Sequence, residues 1–154
     1  MTDAASPRMF ESYRGTVYPW HCDHVGHMNV MWYVGKFDEA SWQFLNSLGL
    51  SPDWLRKHGR GMVAVDQRIA YLRELHAGDV VTVRTAVLEV RDKVIRFAHE
   101  LRDASDDSVC AVTQIVAAHL DMDARRACKL PEHIAATAST RVTRLALPWQ
   151  ARPA

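Results

Sequence analysis

Residues 22–49 read CDHVGHMNVMWYVGKFDEASWQFLNSLG. From Val30 onward the apolar positions Val30, Tyr33, Val34, Phe37, Ala40, Phe44 and Leu48 recur at helical spacing. Asn29 stands where an N-cap belongs, and Gly49 where the residue just past a helix end belongs. Met31, Trp32, Trp42 and Leu45 add apolar surface on the other sides, so the spacing predicts a long helix buried nearly all round. Gly35 inside that helix costs about 1 kcal/mol against Ala. Close approach of another backbone would explain it. Upstream, Cys22 to Asn29 form a polar loop that contains Gly26.

Outward from the helix the period changes. Residues 12–21 read as a first strand, with Pro19 at an edge or at its end. Ser51-Pro52 opens a short second helix to about His58, and beyond it the period is two. Strands are predicted over 61–73, 79–90, 94–102 and 109–121. In the third of these Ile95, Phe97, His99 and Leu101 share one face, and Arg96, Glu100 and Arg102 the other. The short connections predict an antiparallel meander of four strands. The expected class is α+β, with a long central helix wrapped by a curved five-stranded antiparallel sheet. One helix covers only one face, and the last strand is apolar on both, so a second subunit is expected over the remainder. Residues 1–130 are expected to form a single domain. Residues 131–154 are expected to form a tail, with a short helix after Pro131 and then a disordered end.

Composition fits that size. The chain has 154 residues, 48% apolar and 24% charged, one ordinary globular domain with a real core. Nineteen basic residues nearly cancel eighteen acidic ones, which argues against a nucleic-acid binder. No apolar run approaches a membrane span. The N-terminus lacks the apolar stretch of a secretion signal. Cys22, Cys110 and Cys128 lack paired spacing and read as reduced thiols, so the expected compartment is the cytoplasm.

The chemistry concentrates in His21-Cys22-Asp23-His24-Val25-Gly26-His27-Met28-Asn29. The first amides of a helix have no intrahelical partner and carry the positive end of its dipole. A turn at Gly26 would stand Asp23 beside those donors. A carboxylate next to preorganised donors is what acyl transfer needs.

The run Asp23-x-x-Gly26-His27-x-Asn29-x-x-x-Tyr33, followed by Phe37-Asp38-Glu39-Ala40, resembles the hydroxybenzoyl-CoA thioesterase group of the hotdog-fold acyl-CoA thioesterases. The stretch Ile69-Ala70-Tyr71-Leu72-Arg73-Glu74, ending in Gly78-Asp79, supports the match, which extends from about residue 14 to 122. The resemblance implies an acyl-CoA substrate, no cofactor, no membrane partner, and a homodimer or a tetramer of dimers with the site between subunits. It makes Asp23 the catalytic carboxylate and the Val30 amide the donor to the thioester carbonyl. Gly26 is the loop glycine, and His27 and Asn29 shape the loop and cap the helix. Arg91 and Lys93 fall where several members hold coenzyme A phosphates. Asp38 and Glu39 on the helix are the candidates if Asp23 is not the catalyst.

Each residue also has a plain structural explanation. Asp23 alone could cap the loop or pair with a histidine. Tyr33 reads as core with a locally bonded hydroxyl, and Arg91 and Lys93 as solvated turn residues. Asp66, in mid-strand, is expensive unless Arg68 pairs with it or it lines a substrate pocket. His21, His24 and His27 with Cys22 have zinc-suited side chains, but their spacing matches neither a zinc finger nor a helical His pair. Rival activities are hydration or dehydration of an acyl thioester and plain acyl-CoA binding. The Gly26-His27-Met28-Asn29 loop and Tyr71-Leu72-Arg73-Glu74 are also similar to enzymes that cleave betainyl-CoA. There Trp20, Trp32 and Trp42 would suit a quaternary ammonium.

Overall fold

The structure is a computed structural model, and it describes residues 8–150. Strand β1 spans Phe10–Thr16, and a 3-10 turn at Pro19–His21 follows it. The first strand is thus shorter than expected, because Pro19 opens the turn. Helix α1 spans Val30–Ser47 and α2 spans Pro52–His58. Then come β2 (Arg60–Tyr71), β3 (Val80–Val90), β4 (Val94–Asp103), β5 (Val109–Asp121), the two-residue β6 (Arg126–Ala127) and α3 (Glu132–Ser139).

Local chemistry sets the helix ends. The Asn29 side chain accepts the Met31 amide at 3.0 Å, and Ser51 accepts the Trp54 amide at 3.1 Å. Gly49 closes α1 at φ +99, where a side chain would be strained and its Cβ would meet Ile134 at 3.0 Å.

The antiparallel sheet curls round α1 in the order β1-β3-β4-β5-β2, with β6 on β5. Only β3, β4 and β5 form a meander. The expected four-strand meander is corrected: β2 lies along β5, Arg60 opposite Asp121 and Tyr71 opposite Ala111, and becomes an edge. The first strand takes the vacated flank of β3, with Thr16 opposite Val80.

The core lies between α1 and the concave face in two clusters. Val17, Met28, Tyr33, Phe37, Leu75, Val81 and Leu101 fill the end nearest the start of α1. Phe44, Leu48, Leu55, Ile95, Phe97 and Ile134 fill the other. Ile95, Phe97, His99 and Leu101 of β4 all face this core, as the alternation predicts.

Two expectations change. Helix α1 is not buried all round: Val30, Met31, Val34 and Trp42 are exposed on its outer side, and a Cβ on Gly35 would meet nothing within 4 Å. The outer face of the sheet is partly covered by the chain itself. Leu145, Leu147 and Trp149 pack there against Ala98, Val112, Leu88 and Val109. The short helix after Pro131 is present as α3. The expected disorder falls on residues 151–154, outside the described ones.

Candidate active site

The loop before α1 is a small closed structure. Cys22 bridges Met28 in antiparallel register, and the Asp23 amide donates to the His27 carbonyl at 3.1 Å. Gly26 turns the chain at φ +95, and its amide donates to the Asp23 carbonyl at 3.0 Å. Met28 is buried and its amide donates to the Leu75 carbonyl at 2.7 Å, which ties the loop to the start of β3. The Cys22 thiol points to the Tyr18 carbonyl, 3.9 Å away.

Asn29 does two things at once. Its Oδ1 caps α1, and its Nδ2 donates to Asp23 Oδ2 at 2.8 Å. The Val25 amide donates to Asp23 Oδ1 at 2.9 Å. These two bonds, Asn29 first, pull the Asp23 carboxyl below its ordinary pKa and keep it ionised at neutral pH. An ionised carboxylate has lone pairs beyond the two in use. At the helix start, the Met31 amide is taken by the cap and the Trp32 amide by the Asn29 carbonyl. The Val30 amide donates to no acceptor among the described residues. The loop therefore supplies a fixed anion and, at the same helix end, an unspent donor.

Beside it, a cleft of about 390 Å³ is lined by His27, Val30, Tyr33, Tyr71, Leu72 and Glu74. His27 Nδ1 lies 3.0 Å from Glu74 Oε1, which fixes the imidazole against the end of β2. Tyr33 donates to the Arg73 carbonyl at 3.3 Å and meets Tyr71 edge-on at 5.2 Å. Burial pushes the Tyr33 hydroxyl up to about 12, so it remains a donor.

Other candidates lie elsewhere. Asp38 lines a separate cavity of about 90 Å³ between α1 and the sheet, with Ser41, Trp42 and Gln67. Asp66 is exposed on the edge strand β2, next to a break in register between Ala64 and Asp66. The burial cost assumed for it does not arise there. Arg68 turns instead onto Trp149, 4.8 Å from the ring centroid. Arg91 pairs with Glu89 at 2.8 Å, and Lys93 is exposed in the same β3–β4 turn. That turn is at the opposite end of the sheet from Asp23. The histidines diverge: His21 packs on Trp32 at 4.2 Å, His24 is exposed, and His27 meets Glu74. The tryptophans do not form one box, since Trp20 stacks on Tyr18 at 4.6 Å while Trp42 lines the Asp38 cavity. The role of Glu74 as partner of His27 was not read from the sequence, although its motif was.

Residues 17–137 match the family model described as the thioesterase-like superfamily. The chain belongs to that superfamily. Curated relatives include an L-carnitine dehydrogenase/betainyl-CoA thioesterase from Agrobacterium fabrum, 30% identical over 109 residues, covering 71% of this chain and 22% of the relative. A protein of the same name from Ruegeria pomeroyi is 27% identical over 106 residues, covering 69% of this chain and 21% of that one. This chain thus spans about a fifth of the curated relatives it matches. Among solved structures, a hypothetical protein from Staphylococcus aureus in complex with CoA superposes with TM-score 0.85 at 22% identity, over 97% of this chain and 95% of that one. A 1,4-dihydroxy-2-naphthoyl-CoA thioesterase from Synechocystis gives 0.74 at 19% identity, over 84% and 95%. The two solved structures share the fold of this chain over 97% and 84% of its length.

Proposed function

We propose that this chain hydrolyses an acyl-CoA thioester to a free acid and CoA, with Asp23 as the oxygen nucleophile or general base. The observation that carries this is the double role of Asn29, which holds the Asp23 carboxylate at the helix end whose Val30 amide is unspent. A thioester carbonyl placed between them meets an attacking oxygen on one side and a donor for its developing oxyanion on the other. His27, Gly26 and Tyr33 shape the cleft. Arg91 and Lys93 are read as holding CoA phosphates, and Asp66 retains no support as a pocket residue. A panel of acyl-CoAs assayed for released thiol tests the reading. Thiol release separates hydrolysis from hydration or plain binding, both of which leave the thioester intact.

A narrower reading, a betainyl-CoA-type substrate, is favoured by the names of the two curated relatives. Tyr33 and Tyr71, edge to face in the cleft beside Val30, offer ring surface to a quaternary ammonium. The panel includes betainyl-CoA for that reason.

We also read the active form as a homodimer or a tetramer of dimers. Support comes from the exposed apolar residues of α1 and the edge strand β2, including Met31, Val34, Val65 and Tyr71. A cytoplasmic setting suits three cysteines that are all free.

A further inference from the structure

A second cavity, also about 390 Å³, opens toward the other end of α1. Its origin is a change of partner along β3. Strand β1 flanks β3 as far as the Phe10–Thr85 pair. Beyond it, Val142 bridges Val87 in parallel and the Thr143 amide donates to the Val87 carbonyl at 2.9 Å. Phe44 and Val87, both buried, line the cavity together with Thr85 and Phe10.

Arg8 and Arg141 complete the lining. Arg141 donates to the Ser47 hydroxyl at 2.7 Å and the Ser47 carbonyl at 3.1 Å, and stands 5.8 Å from the Phe10 ring centroid. Arg8 donates to the Thr140 carbonyl at 3.5 Å. The partners of both guanidiniums among the described residues are neutral hydroxyl and carbonyl oxygens. Each guanidinium carries five donors, so most remain for a ligand. Two such forks over an apolar floor fit a carboxylate or phosphate on an apolar body, and the volume falls in the small-molecule range.

We propose that this cavity binds an amphiphilic anion, its carboxylate or phosphate held between Arg8 and Arg141 and its apolar body against Phe44, Val87 and Phe10. The site is separate from the Asp23 cleft. Phe44 lies about 21 Å along α1 from Val30 at 1.5 Å per residue. Arg8, Phe10 and Arg141 lie outside the family match at 17–137. Two sources share the chemistry: a free carboxylic acid, and the phosphate end of a CoA.

The test is calorimetric titration of the full chain with dodecanoate below its micellar concentration, with dodecanol as the uncharged control. Saturable binding of dodecanoate at one site per chain is expected, at least tenfold tighter than dodecanol. Arg8→Gln, which touches only the Thr140 carbonyl, should weaken it several-fold, and Arg8→Gln with Arg141→Gln at least tenfold. Arg141→Lys keeps a donor for Ser47 and guards against a folding defect in the double variant; it should bind more tightly than Arg141→Gln. Asp23→Asn should bind dodecanoate like the wild type, so the result stands or falls apart from the hydrolase reading. Competition by 3′,5′-ADP identifies the phosphate source, and its absence identifies the acid. Equal affinity for dodecanol, unchanged affinity in the double variant, or loss in Asp23→Asn would overturn the proposal.

Discussion

Asp23 and Asn29 are coupled, and the coupling is testable with one atom group changed at a time. Asp23→Asn keeps the shape of the loop and removes the charge. It should fold, still bind acyl-CoA, and lose kcat by two orders of magnitude or more, the scale of general-base effects. Retained activity in Asp23→Asn, with loss in Asp38→Asn, would move the chemistry to the cavity beside Trp42. Asn29→Ser is the finer probe. A serine hydroxyl can still cap Met31, so stability should fall by no more than about 1 kcal/mol. It lacks the amide that donates to Asp23 Oδ2, so the largest cause of the lowered Asp23 pKa disappears. In the proposed reaction the active form is the carboxylate. In the wild type, activity should therefore persist below the ordinary carboxylate range as pH falls, and in Asn29→Ser the acid limb of kcat/KM should move upward. An unmoved limb would mean that Asn29 does not set the ionisation of Asp23.

At the scale of elements, β4 carries a histidine that burial keeps neutral. The Ser41 hydroxyl donates to the Phe37 carbonyl at 2.9 Å, so Ser41 accepts from His99 Nε2–H, 2.9 Å away. Thr85 Oγ1 stands 2.8 Å from Nδ1 and 2.7 Å from Ser12 Oγ, with one proton for the two. Burial pushes His99 down to about 3. An unfolded histidine titrates near 6.5, so between about 6.5 and 3 the unfolded chain binds the extra proton. Stability is full above pH 6.5 and falls as pH drops; by pH 5 this one group removes roughly 2 kcal/mol. Urea unfolding at pH 7 and pH 5 measures it, and the difference should shrink in His99→Gln. The alternation of β4 made this inward position legible in the sequence, as the caps at Asn29 and Ser51 did for the helix starts. Strand partners were not legible in the same way. Nothing within residues 61–73 encodes pairing with β5 rather than β3, because register between distant strands is fixed by the assembled core. The exposure of Asp66 was not legible for that reason: a mid-strand carboxylate is costly in a central strand, but in the single chain β2 is an edge. The cover of Leu145, Leu147 and Trp149 was missed because three apolar residues in an irregular segment have no period to detect.

At the scale of the whole molecule, the parts assigned to one substrate sit far apart in one chain. Met28 of the Asp23 loop is bonded to Leu75, just before β3, whereas Arg91 and Lys93 follow the far end of that strand. Eleven residues of strand separate the two ends, about 36 Å of contour at 3.3 Å per residue. The exposed outer side of α1, with open space at Gly35, gives a second copy room to lie alongside. Two chains related by a twofold axis and running antiparallel bring the Asp23 end of one to the Arg91 end of the other. Arg91→Ala with Lys93→Ala should then raise KM for acyl-CoA several-fold and leave kcat nearly alone, since phosphate contacts hold ground and transition state alike. Mixing decides whether the two ends belong to different chains. A dimer of one Asp23→Asn chain and one Arg91→Ala/Lys93→Ala chain contains one site with both elements intact and one with neither. Co-refolded mixtures should therefore recover turnover at wild-type KM, at up to half the wild-type rate per mixed dimer. If both elements came from the same chain, no site in the mixture would be intact and the low KM would not return. A stable, active monomer by light scattering at micromolar concentration would rule out the shared site altogether.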